Sequence, residues 1–345
     1  MKVYTLRITC LGLFILLSTL FESCSLHDSQ STPAQTTPRI TAGKPAFSFD
    51  PKQTTSLSLV KADSSTGDHW SAQVQRVPST PGSFQDSDPW QITSYSNSPS
   101  LIDRLANRGW ILHFLDTLST FRADLKMDAP STPESLAKYG FSPPRYALQW
   151  QVQTSETPPK LQTYELQIGS ALDFEKNPDG ETYAVFPSSK VFYQANGAAL
   201  VMLSDLKTFL NLRQDTLSTL ESDDVNGLEV TSPGKSVYAR REGPQWNDKK
   251  HHSLNENIDV EGLLNLVTHL RILKFVDSQE EIQKLLPLIR KKNILAVKVV
   301  LKDRYSQKDD FKVCKIGSHT YATESSRPGA VFELYPETFD RLSNH

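Results

Sequence analysis

One separation, 149 residues, constrains this chain more than any motif does. The stretch FLDTLSTFRADL, Phe114 to Leu125, aligns with LLNLVTHLRILK, Leu263 to Lys274, so that Arg122 meets Arg271 at that distance. Without any gap, Leu148, Trp150 and Val152 then meet Val297, Val299 and Leu301. Further on, TYELQIGS (Thr163 to Ser170) is written again as FKVCKIGS (Phe311 to Ser318), with Gly169 and Gly317 148 apart. Unrelated domains would drift out of step, so the constant offset predicts one structural unit present twice. A chain of 345 residues has room for two such units, since single cores rarely grow beyond about 250–300 residues.

Each unit reads as strands broken by single amphipathic helices. In the first, TTSLSLVKA (Thr54 to Ala62) alternates with Leu57 and Leu59 on one face, and WSAQVQRV and PWQIT follow. A long helix is expected over Leu101 to Phe121, from the spacing of Leu101, Leu105, Ile111, Leu112, Leu115 and Leu118. TPESLAKYG is a short helix with Thr132 as its cap, Pro133 in its first turn and Gly140 at its exit. Strands YALQWQV, YELQIG, TYAVF and KVFYQ come next, and LVMLSDLKTFL closes the unit as a helix.

The second unit repeats this order. DVNGLEV and SVYARRE are strands and Trp246 marks a third. DVEGLLNLVTHLRIL is expected as the long helix and EEIQKLLPLI as the short one. Each IGS is read as a glycine turn ending an equivalent strand. The predicted class is α+β: two tandem modules, each a mostly antiparallel sheet packed with one long and shorter helices. The expected boundaries are 1–24 for a signal peptide, 25–45 for a tether, 46–215 for the first module and 216–345 for the second.

The first 24 residues address the chain. Lys2 and Arg7 precede ITCLGLFILLSTLF, an apolar run of 14 residues that matches a secretory signal and is short for a membrane span of roughly 20. Cys24 follows directly, with Ser23 before it, as in a bacterial lipoprotein signal, although Phe21 and Glu22 depart from the usual residues. Three outcomes stand open there: lipid attachment at Cys24, plain cleavage after Ser25, and an uncleaved anchor. The next segment, rich in Ser, Thr, Gln and Pro, cannot bury enough surface to offset ordering entropy, so it is expected to tether the body flexibly. The body is expected in the periplasm or at the cell surface. A net charge of -2 sets up no global field toward nucleic acid, and the basic runs at Arg290 to Lys292 and Lys249 to His252 are short.

Chemical signatures are sparse. Cys314 lies alone in a strand pattern with no base beside it and is read as a packing residue. DFEKNPDGE, Asp173 to Glu181, alternates acids as a calcium loop does, yet Pro178 and Ala184 stand where such a loop wants Gly and a carboxylate. It is read as a hairpin loop. His251 and His252 are adjacent and diverge on regular structure, while His113 and His269 fall on the two long helices; none is read as a metal ligand. Trp150, Tyr164, Phe174, Tyr183, Phe186, Phe192 and Tyr193 are read as core aromatics. No catalytic, cofactor-binding or metal-binding residue is assigned, and no cofactor is expected.

The run LAKYGFSPPRYALQWQV, then YELQIG and TYAVF, resembles domain-of-unknown-function family 4340 (DUF4340), as do LLNLVTHLRILKFVDS and KIGSHTYATE with VFEL and TFDRL. The second unit departs in having LLPLIRKKN where the first has its YG and PP segment. The resemblance implies an exported or membrane-anchored bacterial protein with the unit in tandem. It further implies an association with ABC-transporter components of the gliding-motility type. The family brings no activity and no site residues. The expected function is therefore a non-catalytic envelope accessory or scaffold with a protein partner. An envelope hydrolase acting on glycan or peptide, or a small-ligand binding module, is the alternative.

Overall fold

Leu57 and Leu59 show how the alternating pattern becomes a sheet. In β1 (Thr54–Ala62) they lie opposite Val74 and Ala72 of β2 (His69–Arg76) on one side, and opposite Trp150 and Leu148 of β5 (Tyr146–Gln153) on the other. Directly opposed residues share a face, so these six side chains form one apolar patch, and all are buried. The computed structural model describes residues 34–35, 44–62, 69–78, 84, 88–96, 101, 103–128, 131–156, 158–171, 181–218, 220, 222–232, 234–254, 259–291, 295–301 and 308–344.

The first module continues with β3 (Trp90–Tyr95), α1 (Arg108–Ser119), β4 (Ala123–Lys126), α2 (Pro133–Lys138), β6 (Leu161–Ala171), β7 (Thr182–Phe186), β8 (Val191–Ala195) and α3 (Ala198–Ser204). The second has β9 (Val225–Ser232), β10 (Lys235–Glu242), β11 (Gln245–Asn247), α4 (Val260–Thr268), β12 (Ile272–Val276), α5 (Gln279–Lys291), β13 (Leu295–Leu301), β14 (Lys308–Ile316), β15 (His319–Glu324), β16 (Val331–Leu334) and α6 (Thr338–Ser343). Along their main paths the sheets run β3-β2-β1-β5-β6-β7-β8-β4 and β11-β10-β9-β13-β14-β15-β16-β12. Adding eight to each strand of the first gives the second. All these pairings are antiparallel.

Two irregularities repeat with the order. β1 shifts register against β5 between Thr54 and Ser56, and β9 shifts against β13 between Val225 and Gly227. β4 shifts against β8 between Ala123 and Leu125, and β12 against β16 between Ile272 and Lys274. A bulge disrupts the ladder and is not demanded by a strand order, so two in matching places mark the second module as a structural repeat of the first. The repeat also holds in the cores. Phe114, Leu115, Leu118 and Phe121 are buried in the first, and their partners at 149, Leu263, Leu264, Val267 and Leu270, are buried in the second. Removing each such side chain from water is worth about 1.5–3 kcal/mol. On the opposite sheet face a smaller cluster holds Leu136 of α2 with Tyr139, Val185 and Phe192. Its counterpart holds Leu285 of α5 with Val276, Cys314, Tyr321 and Val331.

Four expectations need correction. The helix expected from Leu101 begins only at Arg108, because Asn107 caps it, accepting from the Trp110 N–H at 3.0 Å, while Leu105 and Ala106 pair as extended chain. The helix expected to close the first module over Leu200 to Leu210 ends at Ser204, and a separate 3-10 turn covers Phe209–Leu212. In the second module the lengths are reversed: α4 has 9 residues and α5 has 13. Arg271 and the residues after it leave α4 for β12, whose pairing with β16 replaces the last helical turn.

The fourth correction concerns the IGS repeat. Gly317 sits in a two-residue turn at φ +63, but Gly169 lies inside β6, where Thr182 Oγ1 donates to its carbonyl and a Cβ would meet the Tyr139 carbonyl oxygen at 2.1 Å. The register places Leu166 opposite Leu148 and Phe311 opposite Val297, so the true separation along this strand is 145. The three-residue difference is odd and flips the face. Leu166 therefore points into the main core, while Cys314, its partner in the letter-by-letter alignment, points into the small one. α2 is as expected: Thr132 Oγ1 accepts from the Ser135 N–H at 3.2 Å and Gly140 leaves at φ +77.

Candidate functional site: the junction of the modules

Between α3 and β9 the chain crosses from one module to the other, and what it does there joins them. Phe209 and Leu212 are buried in the first core and Leu217 in the second. The residues between them form an extended strand. On one edge the Asn107 N–H donates to Leu212 O at 2.7 Å and the Gln214 N–H to Leu105 O at 2.9 Å. On the other edge the Ile272 N–H donates to Asp215 O at 2.8 Å and the Leu217 N–H to Leu270 O at 2.7 Å. Residues 104–106 in turn pair with β3, through Ile92 N–H to Arg104 O and Ala106 N–H to Trp90 O, both 2.8 Å. A backbone ladder thus runs from β3 through 104–106 and the crossing strand to the start of β12. It closes β3's outer edge and part of β12's, which would otherwise invite foreign strands.

A buried charge cluster lies on this ladder. Arg213, at the start of the crossing strand, donates from Nη1 and Nη2 to the two carboxylate oxygens of Asp277 at 2.7 and 3.1 Å, and its Nη2 comes within 4.0 Å of Asp103. Arg327, from the β15–β16 turn of the second module, reaches Asp103 of the first at 3.1 Å and Glu324 at 2.5 Å. Its Nη2 also donates to the carbonyls of Thr216 and Leu217. Arg213, Arg327, Asp103 and Glu324 are all below 8% exposed. Each guanidinium also covers an aromatic face, Phe275 at 3.6 Å and Phe332 at 4.3 Å. Fork geometry lets one arginine serve two carboxylates and two carbonyls, a task that lysine's single ammonium could not match. A buried pair contributes little net stability but penalises any arrangement that separates it, so this cluster fixes how the modules meet.

None of these five residues stood out in the sequence. They come from four separated places, Glu324 and Arg327 lying three residues apart, and a lone Asp or Arg beside an apolar run looks like any surface charge.

The residues that did stand out are not brought together. Cys24 and Asp173 to Asp179, with Phe174 among them, lie outside the described residues. His251 Nδ1 faces Glu242 at 2.9 Å and His252 Nδ1 faces Asp248 at 3.3 Å, each an exposed pair. Hydrogen bonds lower both acids' pKa, chiefly the Asn247 amide for Glu242 and the His252 N–H for Asp248. His113 is exposed on α1, while His269, expected on the second long helix, is exposed just past the end of α4 as its C-cap. Cys314 is buried, which pushes its thiol up and leaves it a packing residue. Trp150, Tyr164, Phe186, Phe192 and Tyr193 are buried as expected, and Tyr183 packs at the edge of the small cluster.

Among the described residues no group of three His, Cys, Asp or Glu is placed to hold a metal ion, and no helix is long and apolar enough to cross a membrane. A groove of about 180 Å³ runs beside the end of α4, lined by His269, Arg271, Tyr335 and Arg341 among others. It is smaller than the roughly 300–1,000 Å³ of ordinary ligand pockets.

No curated protein and no solved structure matches this chain. One family model does, that of the domain of unknown function DUF4340, over residues 90–286. The match starts at the first residue of β3 and ends within α5, so a single span crosses the junction and takes in Asp103, Arg213 and Asp277. Because it covers more than half of the 345 residues, the chain belongs to the DUF4340 family.

Proposed function

We propose that this protein is a non-catalytic accessory or scaffold of the cell envelope, exported, tethered at its N-terminus and presenting two joined sheets to a protein partner. The observation that carries this reading is the junction. A shared strand and a buried charge cluster hold two versions of one module in a fixed relation, which suits contact with a partner at two places. Pre-set geometry lowers the entropy lost on binding, so two modest contacts can act as one strong one. Membrane subunits of an ABC-transporter complex, of the gliding-motility type associated with the family, are the partner class.

Cross-linking in intact cells followed by mass spectrometry tests the reading. Membrane transporter subunits are the expected catch; recovery of the protein alone overturns it.

The tether is tested separately. Cells fed a fatty-acid analogue should label the wild-type protein, and Cys24→Ala should lose the label. Absence of label in the wild type would leave plain cleavage or an uncleaved anchor.

A further inference from the structure

The two modules share strand order, bulges and core, but their outer sheet faces differ in kind. In the second module Glu229, Tyr238, Arg240, Lys298 and Lys312 point away from the main core. Register and offset place Ser58, Gln73, Gln75, Gln149 and Gln167 at the same five positions of the first. Four charges and a tyrosine are matched by one serine and four glutamines. The pattern extends sideways: Gln91, Gln75, Ser56 and Gln151 form one row across β3, β2, β1 and β5, and Gln73, Ser58 and Gln149 form the next. Gln73, Gln75, Gln91 and Gln149 are exposed and the others half-buried. Among the described residues Glu165 adjoins these rows, opposite Gln149, and accepts from Gln149 Nε2 at 2.9 Å.

We infer that this face of the first module binds an uncharged, hydroxyl-rich polymer, a neutral glycan chain. Each glutamine offers a carbonyl acceptor and two N–H donors, and each serine hydroxyl offers both, the same mixed capacity a sugar hydroxyl presents. Strand spacing of about 4.8 Å sets these groups in regular rows, which suits a repeating ligand. Among the described residues these rows carry none of the Lys and Arg that nucleic acid demands. Its rows also lack the aromatic, Met and Arg residues that enrich protein interfaces, and they carry serine, which interfaces deplete. Neutral amides cost less to desolvate than the charges at the matching places of the second module. The inference rests on the rows of one sheet face and the transporter reading on the junction, so glycan binding and the transporter cross-link are separate readouts and either can fail alone.

Full-length protein applied to a printed array of neutral and anionic glycans tests it. Binding to one or more neutral glycans is expected. The double variant Gln73→Glu, Gln149→Glu should weaken that binding at least tenfold, while Arg240→Gln with Lys298→Gln on the second module leaves it unchanged. Gln73, Gln149 and Arg240 are exposed and Lys298 is half-buried, and Gln149→Glu sets a second carboxylate opposite Glu165, so thermal unfolding of each variant separates lost binding from lost fold. Retention of no neutral glycan, retention of anionic glycans only, or binding indifferent to the Gln73/Gln149 pair overturns the inference. If the same pair instead changes the oligomeric state or abolishes a protein cross-link, the face belongs to a protein contact.

Discussion

Arg327→Ala will lower unfolding stability by about 3–5 kcal/mol, far more than the truncation of an exposed arginine. The change strips Asp103 and Glu324 of a shared partner while both carboxylates stay buried, and it orphans the carbonyls of Thr216 and Leu217. An unpaired buried charge, not the lost attraction, is the main cost. Urea denaturation measures it, as a lower midpoint at unchanged slope if unfolding remains a single step. Neutralising all three together, with Arg327→Met, Asp103→Asn and Glu324→Gln, should recover most of the loss. A loss below about 1 kcal/mol for Arg327→Ala would mean that the cluster is hydrated in solution and does not fix the junction.

Alanine at the two glycines of the repeated IGS will have unequal effects for unlike reasons. At Gly169 a Cβ runs into the Tyr139 carbonyl at 2.1 Å and the Phe141 ring at 3.0 Å. The Tyr139 carbonyl accepts from the Ser170 N–H and cannot step aside cheaply, so Gly169→Ala should cost about 3 kcal/mol, the upper end of the overpacking range. At Gly317 nothing lies within 4 Å and the obstacle is the backbone angle of +63, worth about 1–2 kcal/mol. Asparagine separates the two cases: it tolerates the left-handed conformation and should be mild at Gly317, whereas at Gly169 its larger side chain is worse than alanine. Thermal unfolding of the four variants reads this out, and equal losses at both glycines would refute the distinction.

That pair shows where the sequence could be read and where it misled. The 149-residue offset was legible because it rested on buried positions, Phe114 with Leu263 through Phe121 with Leu270, whose spacing the core enforces. The IGS match rested on local letters, and nothing local records which face of a strand a residue takes. Leu101 and Leu105 kept helical spacing, yet Asn107 and the pairing of Ala106 with Arg213 decided that segment, and pairing with a strand a hundred residues away is invisible in a window. β4 and β12 went unread because each is short and follows a helix at once. The charge cluster is illegible for a like reason: its members meet only once the turn before β16 has been folded against Asp103.

The crossing strand has a practical meaning for anyone who wants one half of this molecule. A cut at 215/216, where the repeat invites it, severs an element that both halves use. The front fragment would keep the strand's hydrogen bonds to residues 105–107 and bare the Asp215 carbonyl that had met Ile272. The back fragment would lose Arg213 and leave Asp277 without it. Neither piece is a finished fold, and this protein, though built by repetition, is not divisible into its repeats.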